Sequence, residues 1–293
     1  ISARANAVDE DAGAGNILET LFPGAGPDDK QRQAAVLASK HPFAVVSGGP
    51  GTGKTFTVVK ILALLVEQAL AAGKPPPRMT LLAPTGKAAA RLVESIQNAK
   101  GALPCSDAVK DAIADEASTI HRALGSIPGS STRFRHNKDN PLVTDLVLVD
   151  EASMVNVALM SRLLEAVPAH ARFILLGDKD QLASVEAGAV LGDICNTSAK
   201  FSETETRPKI ADCVTHLTKS YRYQAGSGIE ALALAINAGD STTAIEVLTN
   251  RRYPDVSLRP SLPGNRLGKA LPTQLGNGYR AFHAASTPEE TLE

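Results

Sequence analysis

Residues Gly48-Gly49-Pro50-Gly51-Thr52-Gly53-Lys54-Thr55 form an unbroken phosphate-loop pattern, in which spaced glycines lead into a lysine and a hydroxyl residue. Glycines at 48, 51 and 53 let successive backbone N–H groups converge on one anion with no Cβ in the way. A helix that starts where the loop ends points its positive end at the same anion. Lys54 supplies a point charge for β- and γ-phosphates, and the Thr55 hydroxyl is a ligand for Mg²⁺. The flanks suit the motif: Phe43-Ala44-Val45-Val46-Ser47 reads as a buried strand, and Phe56 to Leu70 carries apolar residues at helical spacing. A glycine turn without chemical role would not need all these features together, so the pattern predicts a nucleoside triphosphate site.

Further candidates follow at the tips of apolar runs. Leu146 to Val149 leads into Asp150 and Glu151, and adjacent carboxylates at a strand tip are costly unless a cation shares them. Asp150 fits a carboxylate directed at Mg²⁺, and Glu151 the base that positions and deprotonates an attacking water. Phe173 to Leu176 leads through Gly177 to Gln181, an amide within reach of a γ-phosphate if it shares that sheet edge. Gln31, ahead of the first strand, has the donor and acceptor pair that reads an adenine edge, and equally suits an exposed helix position. Arg222 lies beyond the strands recognised and suits either an arginine finger carried by a second domain or a plain surface arginine.

The elements that must place these residues alternate: helices with the strands Phe43–Ser47, Met79–Ala83, Leu146–Val149 and Phe173–Leu176. That predicts an α/β fold with a parallel sheet covered by helices. Residues 1–27 end in Pro23-Gly24-Ala25-Gly26-Pro27 and read as a linker or the remnant of a preceding domain. Residues 28–215 form the expected ATPase domain, with a polar, basic insert at about 126–141 read as a hairpin, and 216–293 a further segment whose tail from Arg251 lacks periodicity.

Composition narrows the class. The chain has 293 residues, 43% of them hydrophobic, enough for a sizeable core. A net charge of −1 and a pI near 6.7 give no global basic signal, so nucleic-acid binding must rest on local sites. Aromatics make up only 4% and Trp is absent, which leaves few stacking platforms and favours backbone contact with any single strand. Cys105, Cys195 and Cys213 lack the spacing of a disulfide framework or a zinc site. No apolar run approaches the roughly 18 residues of a membrane span, and the expected location is the cytoplasm.

Six motifs in order, GGPGTGKT, APTGKAAARL (83–92), STIHRALG (118–125), VDEASM (149–154), LGDKDQLASVEAGAVLGDI (176–194) and LTKSYRY (217–223), resemble the RecD family, α subunits of exonuclease V in RecBCD complexes. The resemblance covers about Gln31 to Gly239 and implies a RecA-like P-loop fold and a superfamily 1, 5′→3′ DNA helicase that uses ATP and Mg²⁺. It implies partners too: single-stranded DNA, and RecB- and RecC-like subunits. By resemblance Lys54, Glu151, Gln181 and Arg222 act in hydrolysis and Thr55 and Asp150 hold Mg²⁺. Gln31 with Gly48, Gly49, Pro50, Gly51, Thr52 and Gly53 binds the nucleotide. Pro84, Thr85, Gly86, Thr119, His121 and Arg122 contact the DNA strand, and the insert with Arg133, Arg135, His136 and Lys138 matches the small 1B element, a candidate wedge at a duplex junction.

The family carries further motor motifs, including a second arginine, that do not occur before Glu293. The resemblance therefore implies a fragment, weakly active alone, with a partial second RecA-like domain. Two rivals stand beside the helicase: another P-loop phosphotransferase, such as a nucleotide kinase, and a nucleotide-binding assembly module without catalysis of its own. A kinase would need an acceptor-binding lid where TGKAAARL and STIHR stand.

Overall fold

The computed structural model describes residues 2–5, 15–127, 129, 133–181, 190–197, 209–222 and 226–258. Residues 182–189 of the fifth motif, Tyr223, part of the polar break after Asn196 and most of the tail expected to be irregular lie outside them. Six strands, β1 (Phe43–Gly48), β2 (Met79–Ala83), β3 (Ala117–Thr119), β4 (Leu146–Val149), β5 (Arg172–Gly177) and β6 (Val214–Leu217), form one sheet in the order β3-β2-β4-β5-β1-β6. Every pairing is parallel.

Residues alternate across the two faces with the period of two that a pleated strand imposes. Ala44, Val46, Leu81, Leu146, Leu148, Ile174 and Leu176 enter one core with the helices Lys30–Lys40, Lys54–Ala71 and Gly86–Gly101. Phe43, Val45, Leu82, Val147, Val149, Phe173 and Leu175 enter the other with Ile120–Leu124, Val157–Ala166 and Val190–Thr197. Both faces being covered, the strands are apolar throughout, which is why four of them were readable as short apolar runs. The sheet gains β3 and β6 at its edges: β3 has three residues, and β6 alternates buried with half-buried positions, so neither yields an apolar run.

β6 moves a boundary. Its pairing with β1 runs from Val45 opposite Val214 to Gly48 opposite Leu217, and the first compact unit reaches Gln224 rather than ending at 215. Lys219 to Arg222 therefore belong to the unit that holds the phosphate loop, not to a second domain as expected. The N-terminal stretch is likewise no plain linker: Leu18, Leu21 and Phe22 are buried in the first core, and Arg4 donates to the carbonyls of Val167, Pro168 and Ala171 at 2.9, 2.6 and 3.0 Å. The second unit, Ala225–Glu293, contains the helices Gly228–Asn237 and Ser241–Thr249, with Ser227 and Asp240 as their N-caps.

Phe43 and Phe173 stack across the β1–β5 pair with centroids 6.3 Å apart, both fully buried. Phe173→Ala leaves a cavity between the central strands and lowers stability by about 3–5 kcal/mol, read as a lower urea midpoint at unchanged slope.

Candidate functional site

All six strands point their carboxyl ends to one edge, where ligands of open α/β sheets bind. The phosphate loop leaves that edge from β1. Gly51 and Gly53 adopt left-handed φ of 76° and 77°, values open to glycine but strained for other residues. The buried Thr52 hydroxyl donates to the Gly49 carbonyl at 2.8 Å and braces the turn from within. Helix Lys54–Ala71 starts after Gly53 with no side-chain cap, so its first N–H groups look for an external acceptor. The Lys54 ammonium lies over the loop mouth, donating to the Gly48 and Gly49 carbonyls at 2.6 and 3.1 Å. Uncapped donors, left-handed glycines and an ammonium on one loop fit a phosphate chain. Thr55 follows, half-buried in the first helical turn.

The acid pair stands at the tip of β4. Burial drives the Asp150 carboxyl up to about 6, and the charge on Glu151 adds to this, while the Glu151 N–H and Lys54 oppose it. The Glu151 N–H donates to Asp150 Oδ1 at 2.9 Å. Glu151 has a φ of 50°, the one positive value on a non-glycine among the described residues, a conformation that costs of order 1–3 kcal/mol and collects at functional sites. The Asp150 N–H donates to the Leu82 carbonyl at 2.8 Å, tying the acid pair to β2. Among the described residues no three His, Cys, Asp or Glu side chains cluster as a metal cage. One carboxylate plus one hydroxyl suits a hard cation that completes its shell with phosphate and water oxygens.

β5 delivers Gln181, whose Oε1 accepts from the Ser153 hydroxyl at 3.2 Å. The Lys179 N–H donates to Ser47 Oγ at 3.3 Å, which binds this loop to β1. Cys195 lies nearby; burial raises its thiol to about 11 and leaves it inert.

The segment after β6 straps the outside of the loop. The Tyr221 N–H donates to the Gly51 carbonyl at 2.8 Å and the Ser220 hydroxyl to the Pro50 carbonyl at 3.4 Å. Arg222 sits so close that a Cβ at Gly51 would collide with its own Cβ. At Gly53 a Cβ would lie 2.8 Å from Gln31 Nε2 and 3.9 Å from the Tyr221 ring, and Gln31 Nε2 donates to the Thr52 carbonyl at 3.4 Å. Gln31 is thus half-buried against the loop, opposite an aromatic ring that is 59% exposed. Tyr221 and Ser220 escaped the sequence reading. Their signal was an aromatic between Lys219 and Arg222, where the Lys219 ammonium now lies 5.0 Å over the ring.

The strand-contacting candidates collect after β2 and β3, three and four strands from β1. Ala83 pairs with Thr119, so the exits of β2 and β3 are adjacent. Thr85 caps helix Gly86–Gly101 and Thr119 caps helix Ile120–Leu124, their hydroxyls accepting from Ala88 and Arg122 N–H at 3.2 Å each. Pro84 is half-buried; Thr85, Gly86, His121 and Arg122 are exposed. The His121 ring packs on Phe134 with centroids 5.9 Å apart. Phe134 belongs to the insert, where an antiparallel bridge joins Ser126 to Phe134.

A family model described as an AAA domain matches residues 31–187. The RecBCD enzyme subunit RecD of Mycolicibacterium smegmatis is 48% identical over 236 residues, covering 80% of this chain and 40% of the relative. The subunit of the same name from Haemophilus influenzae is 38% identical over 289 residues, covering 90% of this chain and 44% of the relative. The ATP-dependent RecD2 DNA helicase of Deinococcus radiodurans is 40% identical over 194 residues, covering 60% and 23%. The chain spans about 40% of the length of the RecD subunits it matches.

The raised Asp150 carboxyl sets a pH dependence. Its neutral form suits the fold, so the stability it contributes is present below the ordinary carboxylate range and is lost as pH rises through about 6. Asp150→Asn removes that loss: it stabilises the chain at pH 8 by on the order of 1–3 kcal/mol, with the gain shrinking toward pH 4. Thermal unfolding of both proteins across this range measures the difference.

Proposed function

The chain belongs to the AAA domain family, and on that premise we propose that it is the nucleotide-binding core of a RecD-type DNA helicase, which hydrolyses ATP with Mg²⁺ to move 5′→3′ along single-stranded DNA. Its partners in this reading are RecB- and RecC-like subunits, and its place the bacterial cytoplasm. The observation that carries the reading is the gathering of Lys54, the uncapped helix end, Asp150–Glu151 and the Arg222 strap around one loop, on the sheet edge that also bears Thr85, Thr119, His121 and Arg122.

Each residue then has a chemical task. Loop N–H groups from Gly48 to Gly53 cradle phosphates, and Lys54 exchanges its carbonyl partners for β/γ-phosphate oxygens. Thr55 and Asp150 hold Mg²⁺, which when bound neutralises charge developing on the phosphates. Glu151 orients water and takes its proton. Gln181, steadied by Ser153, meets the γ-phosphate region. Arg222 acts in cis from the strap, and Gln31 reads the adenine edge. Pro84, Thr85 and Gly86 with Thr119, His121 and Arg122 hold a DNA backbone. The Thr85 and Thr119 hydroxyls, each accepting one helix N–H, meet phosphate through their O–H as donors.

ATP turnover with and without single-stranded DNA tests the reading, and no turnover under either condition sinks it. Lys54→Ala abolishes turnover, since no other ammonium stands in the loop. Glu151→Gln lowers it by roughly 10²–10⁴ while nucleotide binding survives; a matching loss of ATP affinity contradicts the roles given to Asp150 and Glu151. For the strand site, Arg122→Ala flattens the log–log dependence of DNA affinity on salt by about 0.7, the value of one single-strand phosphate contact. A strong preference among base sequences would count against backbone holding.

A further inference from the structure

β1 is apolar until Ser47 interrupts it. By the alternation of a strand the Ser47 side chain shares a face with Phe43 and Val45, which lie in the second core, and it is 1% exposed. A hydroxyl in such a place is costly unless it is hydrogen-bonded. Its partner is the Lys179 N–H, which donates to Ser47 Oγ at 3.3 Å, and the Cys195 thiol shares a hydrogen bond with the same hydroxyl. The register explains why a side chain is needed there. Ser47 stands opposite Gly177, where the β1–β5 ladder ends, and just beyond it the Gly48 and Gly49 carbonyls face the Lys54 ammonium.

The loop after Gly177 is a closed turn. Asp178 is buried, its Oδ1 accepts from the Asp180 N–H at 3.0 Å, and the Gln181 N–H donates to the Asp178 carbonyl at 3.3 Å. Gly177 leaves no room for a Cβ, which would collide with Leu191. Residues 178–181 are thus held as one piece, and Ser47 ties that piece to the strand from which the phosphate loop springs. We propose that Ser47 is a positioning residue for ATP hydrolysis: its hydroxyl sets where the Gln181 amide stands relative to the phosphate loop. Being fully buried, it meets no nucleotide itself. An amide that serves a γ-phosphate or its attacking water must stand within hydrogen-bond reach, and a misplacement of about 1 Å costs on the order of 10²-fold in rate.

This role rests on the helicase reading, and the test separates the two. The 293-residue chain is compared as wild type, Ser47→Ala, Ser47→Thr, Gln181→Ala and the Ser47→Ala, Gln181→Ala double variant. Hydrogen exchange without nucleotide is followed by mass spectrometry on peptides that contain Lys179, and ATP turnover with Mg²⁺ and single-stranded DNA gives kcat and KM. Ser47→Ala speeds exchange at Lys179 and lowers kcat by about 10–100-fold at unchanged KM. Ser47→Thr, which keeps the acceptor, exchanges and turns over as wild type does. In the Gln181→Ala background, Ser47→Ala costs nothing more in kcat, because the amide it would position is gone. If the added methyl of Ser47→Thr lowers the melting temperature, the double variant decides alone. Unchanged exchange at Lys179, unchanged kcat, a rise in KM matching the fall in kcat, or a fully additive loss in the double variant each overturn the role of Ser47 and leave the helicase reading standing. If wild type turns over no ATP, the helicase reading falls and the role of Ser47 with it.

Discussion

Parallel pairing of all six strands is the constraint on which the site depends. A parallel sheet cannot be built from hairpins, so every connection returns across a face and every strand leaves by the same edge. The phosphate loop after β1, the acid pair after β4, Gln181 after β5, the strap after β6 and the Thr85 and Thr119 caps after β2 and β3 thus converge without any of them being near another in sequence.

At that edge the molecule holds several costly arrangements together. Asp150 is buried beside a second carboxylate, Glu151 sits in a left-handed conformation, and the first helical N–H groups behind the loop have no side-chain cap. Each is unfavourable alone, and each becomes favourable if phosphates and a divalent cation occupy the space between them. Stability is sustained elsewhere, by the two apolar cores and by helix Lys54–Ala71, whose middle is buried almost without interruption.

The two ends of the working edge are also mechanically joined. The Asp150 N–H is hydrogen-bonded to Leu82 on β2, two residues before Pro84, and the strap is bonded to the loop at Gly51. The acid pair and the strand that leads to Pro84 are thus linked through backbone groups rather than long side chains.

Much of this was legible in the residues themselves. The loop motif, the apolar runs of β1, β2, β4 and β5, and the acids at a strand tip are local signals, because glycine conformations, buried strands and paired carboxylates are imposed by neighbours in sequence. The ordered motif set was equally local and pointed to the RecD family. What the chain order could not reveal depended on partners far away. β3 and β6 are strands only because a neighbouring strand supplies their hydrogen bonds, and Arg222 could be placed beside the loop only once β6 had paired with β1. Likewise Tyr221 faces Gln31 across Gly53, and Phe134 meets His121, through contacts between segments that hold no periodic signal of each other. Local sequence determined which chemistry the chain carries, because that chemistry is written in residue type and short spacing. The tertiary structure alone decided which of those groups share a site, because edge pairing and the packing of helices across the sheet are fixed by the whole chain at once.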